Sequence, residues 1–428
     1  MNKLLIKNGT IVNADEVKKS DILIVDGKIS EIAENVKDNN AEILDASGKY
    51  VLPGLIDLHV HLREPGLEYK EDIESGSKAA AHGGFTGIAC MPNTKPVCDN
   101  AVTVKYIKAR AQEVGLTKVY PIGAATKGLD GQELAEIGKM KKFGAVAVSD
   151  DGKPVATGQM TRLVMEYADD FGIKLHAHCE DKSLSGDGVV NEGKFSTFVG
   201  LKGIPNVSET AGVLREISIA ENFGKSVHIC HVSTKESVKA IREAKARGVK
   251  VTAETCPHYF TLTDEAITSF DTATKVNPPL RAEEDRLAII EGLRDGTIDV
   301  IATDHAPHHV DDKRVEYANA AFGITGLETS FSLSYTKLVK ENGFTLPELV
   351  GLMSKKPAEI INVEGGEVKV GASADIAIVD LDAEYVIDKN KFYSKGKNTP
   401  FDGRTVKGKV YATLLDGKIV HKEDEIYG

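Results

Sequence analysis

Two kinds of hydrophobic pattern divide this chain. Near each end, short runs rich in β-branched residues surround an Asp-Gly pair: LLIKNGTIV and DILIVDGKISEI at one end, DIAIVDLD and VYATLLDGKIVH at the other. Asp-Gly between such runs signals a tight hairpin, and DGKIS at 26–30 is echoed by DGKIV at 416–420. The echo predicts one small β-sandwich-like domain composed of both termini, residues 1–52 and 365–428. From Val51 onward apolar strand-like segments alternate with amphipathic helical ones, the pattern of a parallel sheet with crossover helices. The strand candidates are VLPGLIDLHVHL, GFTGIACMPNT, KVYPIGAAT, GAVAVSDDG, IKLHAHCED, SVHICHVST, KVTAETCPHYF and DVIATDHAP, separated by stretches such as GQMTRLVMEYADDFG and ESVKAIREAKARG. Eight repeats predict an α/β fold, a closed (β/α)8 TIM-type barrel over 53–364, and a catalytic one. Beyond the eighth, 328–341 and 346–361 read as helices before GGEVKVGASADIAIVD returns to the β domain.

Bulk properties narrow the function. Lys+Arg 53 against Asp+Glu 64 gives a formal net charge of −11, which argues against nucleic acid or an anionic membrane as a partner. An anionic substrate therefore needs a local cationic site. The five cysteines, Cys90, Cys98, Cys179, Cys230 and Cys256, are odd in number and lack CxxC pairing, so they read as reduced thiols and the compartment as cytoplasmic. MNKLLIKNGTIVNADE turns polar too soon for a signal sequence, and no apolar run approaches the ~18 residues of a membrane span.

Polar residues out of place in the strands gather near their C-terminal ends, the barrel face on which active sites are built. In DLHVHLREPG, 57–66, a strand would put Asp57, His59 and His61 on one face, with Arg63 just beyond and suited to a bidentate pair with a carboxylate. Strand two ends with Asn93, strand four with Asp150 and Asp151, strand five with His176 and His178, strand six with His228 and His231, and strand eight with Asp304, His305 and His308. Four imidazoles and two carboxylates from five strands exceed the needs of one catalytic zinc. Two ions bridged by a carboxylate fit better, and the reaction class is hydrolysis of a carbonyl bond or its reversal.

The HxH of strand one, the histidines of strands five and six and the aspartate of strand eight resemble the amidohydrolase superfamily. HLREPG, MPNT at 91–94, SDDG at 149–152, VNPPLR at 276–281 and DHAPH at 304–308 are more similar still to bacterial dihydroorotases, over essentially the whole chain. The resemblance implies two zinc ions per subunit, one on His59, His61 and Asp304 and the other on His178 and His231, with Asp151 and a hydroxide bridging both. It implies reversible cyclisation of N-carbamoyl-L-aspartate to L-dihydroorotate in pyrimidine synthesis, with Asp304 as general base and then acid. The implied substrate contacts are His61, Arg63, Asn93, Asn277, His308 and the backbone of Phe322 and Gly323, under a loop at 308–325 that reads equally as lid or static excursion. A homodimer is implied as well; no pattern indicates a transcarbamoylase partner.

The chain departs from much of the superfamily in having no lysine within strand four to carry a bridging carbamate. Lys153 lies two residues past Asp151, but Gly152 and Pro154 suggest a turn there, and Asp151 is the favoured bridge, with Asp150 turned to solvent or a supporting position. Parity does not separate His176 from His178; only the resemblance selects His178. His228 lies three before His231 and so faces the other way as a core residue, Cys179 and Cys230 point away from the ligands, and His82 suits the end of a helix dipole. His258, His309 and His421 carry no argument for ligation. Two other readings fit less well: a cyclic amidase for allantoin or hydantoin would leave the Arg63 cation unpaired and typically uses the lysine bridge absent here, and a noncatalytic subunit supporting a transcarbamoylase could lose ligands that this chain retains.

Overall fold

Eight parallel strands form the centre of the computed structural model, which describes residues 2–427. In chain order they are β1 (Leu55–Val60), β2 (Phe85–Cys90), β3 (Lys118–Ala124), β4 (Ala147–Ser149), β5 (Leu175–Ala177), β6 (Val227–Ile229), β7 (Val251–Thr255) and β8 (Val300–Ile301), each paired with its sequence neighbour. The ring closes just past β8, where His305 bridges Val60 and its carbonyl accepts from the His61 N–H at 2.8 Å. The expected barrel is therefore present.

Helices wrap the ring because their apolar residues recur at helical spacing. The two stretches read as amphipathic form Gly158–Asp170 and Lys235–Ala246, which bury Val164, Met165 and Ala168, and Val238, Ile241 and Ala244. Helix α1 (Ile73–His82) starts at a capping box of Asp72 and Ser75 and stops at Gly83. After β8, Ser330–Ser334 runs on into a wider π turn at Tyr335–Lys340, and a second such run covers Leu346–Val350, Gly351–Lys355 and Lys356–Ile361.

The termini meet in two packed sheets. One holds Lys3–Lys7, Asp21–Val25, Lys28–Ala33 and Glu42–Asp45; the other holds Thr10–Val12, Val17–Lys19, Tyr50–Pro53, Ile376–Val386, Thr405–Leu415, Lys418–Lys422 and Glu425–Ile426. Ile6, Ile22, Ile24 and Ile29 of the first pack on Val51, Ile376, Ile378 and Leu414 of the second. Two segments read as single strands divide. LLIKNGTIV breaks at Asn8 (φ 63°) and contributes to both sheets, while VLPGLIDLHVHL breaks at Gly54 between the β domain and β1.

The echoed Asp-Gly pairs are twin turns. Asp26 and Gly27 have φ of 47° and 85°, Asp416 and Gly417 of 47° and 75°, the double positive φ of a type I′ hairpin. The two turns also pack on each other, since a Cβ at Gly27 would lie 2.7 Å from the Asp416 carbonyl oxygen.

One helix-to-strand contact bears on the site. Gly212, inside Asn206–Phe223, abuts the backbone that follows β5, and a Cβ there would sit 2.9 Å from the Cys179 carbonyl carbon and the Glu180 nitrogen. Backbone on both sides cannot yield cheaply. Gly212→Ala is expected to cost about 1–3 kcal/mol, read as a lower denaturation midpoint, whereas Gly158→Ala, whose Cβ would have 3.7 Å to Ile219, is expected to leave it unchanged.

Candidate metal centre and substrate pocket

Most of the expected ligands lie just past a strand rather than in it. β1 ends at Val60, β4 at Ser149, β5 at Ala177, β6 at Ile229 and β8 at Ile301, so only His59 is a strand residue among His59, His61, Asp151, His178, His231 and Asp304. Beyond a strand end, alternation no longer fixes direction; backbone conformation does. His231 and Asp304 have φ of 36° and 47°, and Arg63 has 62°, left-handed values that non-glycine residues adopt only under constraint.

These turns bring six side chains to one point. Asp151 Oδ1 lies 3.4 Å from His59 Nε2, 3.6 Å from His178 Nδ1 and 3.6 Å from His231 Nε2, and its Oδ2 lies 3.5 Å from His61 Nε2. Asp304 Oδ1 is 3.1 Å from His61 Nε2 and 3.5 Å from His59 Nε2. His178 Nδ1 and His231 Nε2 are 2.9 Å apart. A tetrahedral site with arms of about 2.05 Å has edges of about 3.3 Å, so these separations suit ligands that share an ion. The groups His59, His61, Asp151 and Asp151, His178, His231 form two triads joined by one carboxylate. All are buried, and His59 Nε2 has no hydrogen-bond partner among the described residues.

The far nitrogen of three rings is tied down. His59 Nδ1 donates to Glu254 at 2.7 Å, His61 Nδ1 to the Asn93 side-chain oxygen at 2.9 Å, and His178 Nε2 to Glu180 at 3.0 Å. Each bond fixes the tautomer and turns the other lone pair toward Asp151. Burial works against every charge here, yet the imidazoles of His59, His178 and His231 outweigh it at Asp151 and hold that carboxyl well below its usual range. At His59 the carboxylates of Asp151 and Asp304 likewise outweigh burial and hold the proton more tightly than usual. His61 goes the other way, because burial and the Arg63 guanidinium together lower its proton affinity.

Several expectations change on contact with this geometry. Lys153 is exposed in a turn closed by its N–H to the Asp150 carbonyl at 2.9 Å, so it is not placed to bridge. Of the two positions expected for Asp150 the supporting one is found: it is buried and accepts from the N–H groups of Ala125 and Thr126 at 2.9 and 3.0 Å. His228 and His231 both face inward despite their opposite parity, because His231 has left the strand. His228 binds Thr252 at 2.9 Å and Glu254 at 3.1 Å, which makes it a support for the group that orients His59. Cys230 also lies inward, grouped with His59 and Glu254, and burial keeps its thiol protonated. Cys179 lies against the helix Asn206–Phe223 as expected. His176 packs against His228 with ring centres 4.4 Å apart and planes tilted by 43°, and neither of its ring nitrogens has a hydrogen-bond partner among the described residues. Glu254 and Glu180 escaped the sequence reading. Glu254 carried a legible signal, a carboxylate inside the apolar strand KVTAETC.

On the open side of the centre, Arg63 donates its Nε–H to the Pro307 carbonyl at 3.3 Å, and Nη2 lies 3.4 Å from His308 Nε2. Glu64 instead accepts from Tyr106 Oη and the Ile73 N–H, and Glu68 from the Gly66 N–H, so neither neutralises the guanidinium. His308 is not a free donor: its Nε2–H donates to the Phe322 carbonyl at 2.8 Å and its Nδ1 faces Lys70 at 3.3 Å. Burial and the adjacent Arg63 push its pKa down to about 2. Asn277 donates to Glu180 at 3.2 Å. Gly323 gives its N–H to the Lys275 carbonyl at 2.9 Å and its own carbonyl to Asn398 at 3.0 Å. The 308–325 loop is fastened: Lys313 Nζ donates to the carbonyls of Thr272, Lys275 and Ala321 at 3.0, 3.2 and 2.7 Å.

Comparison with known proteins agrees with this geometry. The family described as Dihydro-orotase-like matches residues 48–237. The dihydroorotase of Acetivibrio thermocellus is 53% identical over 98% of this chain and 99% of its own length, and that of a Thermoanaerobacter species is 52% identical over 99% and 98%. Among solved structures, an L-hydantoinase (dihydropyrimidinase) from Arthrobacter aurescens superposes with a TM-score of 0.91 at 28% identity, covering 100% of this chain and 98% of that one. A D-hydantoinase (dihydropyrimidinase) from a Thermus species gives 0.83 at 26% identity over 99% and 96%. With a barrel-mouth cluster of this composition and relatives of this similarity along its full length, the chain belongs to the dihydroorotase family of cyclic amide hydrolases.

Proposed function

We propose that this chain catalyses the reversible cyclisation of N-carbamoyl-L-aspartate to L-dihydroorotate in pyrimidine synthesis. The observation that carries the reading is Arg63: a partly buried guanidinium beside the Asp304 and His61 end of the cluster whose close polar contacts, among the described residues, are the Pro307 carbonyl and the His308 imidazole, with no carboxylate paired to it directly. A site built around such a cation favours a substrate that keeps a carboxylate, as dihydroorotate does and hydantoin does not. The solved hydantoinase neighbours make cyclic ureides without a carboxylate the specific competitor.

Zinc is the proposed metal, one ion on His59, His61 and Asp304 and one on His178 and His231, with Asp151 shared. When bound, such ions would supply Lewis acidity, making a water easier to deprotonate and the ring carbonyl easier to attack. The chain's own residues do the rest. With Oδ1 committed toward His61 and His59, the other carboxylate oxygen of Asp304 would take the proton of the attacking water and return it to the departing ring nitrogen; ring closure runs the same transfers backward. Arg63 holds the carboxylate by two N–H donors, fixing which carbonyl faces Asp304. Asn93, whose oxygen accepts from His61, keeps its NH2 for the substrate; His308, Phe322 and Gly323 line the pocket beside Arg63, and Asn277 lines it beside Glu180. The same reading divides the chain into 1–52 with 365–428 and 53–364, and takes the assembly to be a cytoplasmic homodimer.

Three outcomes test this. Asp304→Asn is expected to lower turnover by about 10²–10⁴-fold; undiminished turnover with the metals retained would remove it from proton transfer. Arg63→Met is expected to weaken dihydroorotate and carbamoyl aspartate by about 1.5–3 kcal/mol while leaving any activity on hydantoin where it was. Parallel ring-opening assays on dihydroorotate, hydantoin and allantoin read both variants, and equal loss on all three substrates would sink the carboxylate role. Glu254→Gln is expected to weaken zinc binding by about 10–100-fold in a chelator competition; wild-type affinity would mean that the Glu254 carboxylate does not tune His59.

A further inference from the structure

A second histidine cluster lies on the far side of α1, where the barrel meets the β domain. His82 closes α1, His421 lies in the strand Lys418–Lys422, and Asp424 sits in the turn before Glu425–Ile426. Ligand-capable atoms of the three fall within 4.8 Å of one another. No local pattern joins them, since His82 lies 339 and 342 positions from His421 and Asp424.

We propose that His82, His421 and Asp424 form a third, structural zinc site that staples the C-terminal hairpin of the β domain to α1. Three features carry it. His421 is 0% exposed, yet neither ring nitrogen has a hydrogen-bond partner among the described residues, a costly arrangement for a buried imidazole. Its ring stands perpendicular to that of His82, with centres 5.1 Å apart. His82 already has the support that metal-binding histidines have: Nδ1 lies 2.7 Å from Glu328 Oε2, which leaves Nε2 facing Asp424 Oδ1 at 3.7 Å. Glu328 is itself fixed by the N–H groups of Tyr393 and Ser394 at 2.9 and 3.1 Å.

The turn holds Asp424 in place, with φ of 49° at Glu423 and 70° at Asp424. Lys409 approaches both oxygens of the same carboxylate, Oδ1 at 2.7 Å and Oδ2 at 2.8 Å, but a carboxylate has about four lone-pair sites and can serve an ammonium and an ion together. A cavity of about 490 Å³, bordered by His82, Glu328, Tyr393, Lys409 and Asp424, gives an entry path and room for a water as fourth ligand. Two imidazoles and one carboxylate suit zinc better than calcium or magnesium, which prefer oxygen. The alternative is a zinc-independent ion pair of His82 with Glu328 and Asp424.

The test is zinc bound per chain in a metal-buffered titration of the full-length protein, for wild type, Asp424→Asn, His82→Gln and Asp151→Asn. Asp424→Asn and His82→Gln are each expected to bind one zinc fewer than wild type with ring-opening activity unchanged, while Asp151→Asn keeps the zinc that they lose. In the Asp151→Asn background, added zinc is expected to raise the melting midpoint, and Asp424→Asn to abolish that rise. Wild-type zinc content in both Asp424→Asn and His82→Gln would overturn the site. That result is independent of the barrel mouth, whose failure would show instead as Asp151→Asn losing nothing.

Discussion

The organisation of the barrel turns on one carboxylate. Asp151 sits where four imidazole nitrogens from three separate segments come within 3.4–3.6 Å, and no local sequence interaction could hold them there. Coulomb attraction inside a buried pocket is strong, but so is the cost of stripping water from each group. The arrangement persists because every element around it is over-determined: β4 positions Asp151 through the tie from Asp150 to Ala125 and Thr126, β7 supplies Glu254, and closure at His305 fixes the path that carries His61. Gly212 belongs to the same logic, since only a residue without a side chain lets its helix approach the backbone beside His178.

Much of this was legible from residue order alone. Eight strands, polar residues at their C-terminal ends and the two Asp-Gly turns all follow from periodicity and turn chemistry, which are local properties. What failed was alternation carried one residue too far. His228 and Cys230 sit inside the barrel as strand parity places them relative to each other, but His231 joins them because its φ of 36° reverses the expected face. Backbone strain of that kind is imposed by the assembled site and leaves no mark in the hydrophobic pattern.

Other misses have a different cause. The sequence reads Asn277, His308 and Gly323 as single residues with single roles and passes over Glu180, whereas the fold commits them to neighbours distant in sequence: Asn277 to Glu180 across 97 positions, Asn398 to Gly323 across 75. The Asp-Gly echo suggested that the termini meet, yet it could not say that the turns touch or that His421 would come to rest against His82. Long-range pairing of polar groups is a consequence of the fold, and one sequence offers no periodicity from which to infer it.

The partners of the ligand histidines also set the charge at the barrel mouth. His59 and His178, one in each triad, have anionic partners in Glu254 and Glu180, while His61, the ring nearest Arg63, has the neutral amide of Asn93. A carboxylate partner strengthens a histidine as a ligand, and a neutral one does not add negative charge where the substrate must bind. Under the two-ion reading, Asp151, Asp304, Glu254, Glu180 and a bridging hydroxide bring five negative charges against the four of the ions and the one of Lys182, whose Nζ lies 2.6 Å from Glu180. The cluster is then close to neutral, and Arg63 is left as the charge that a bound carboxylate balances. Replacing Asn93 with an acid would reverse that, because it would answer Arg63 from within the protein. On the proposed reading, the preference for an anionic ring depends as much on the neutral residue behind His61 as on the arginine in front of it.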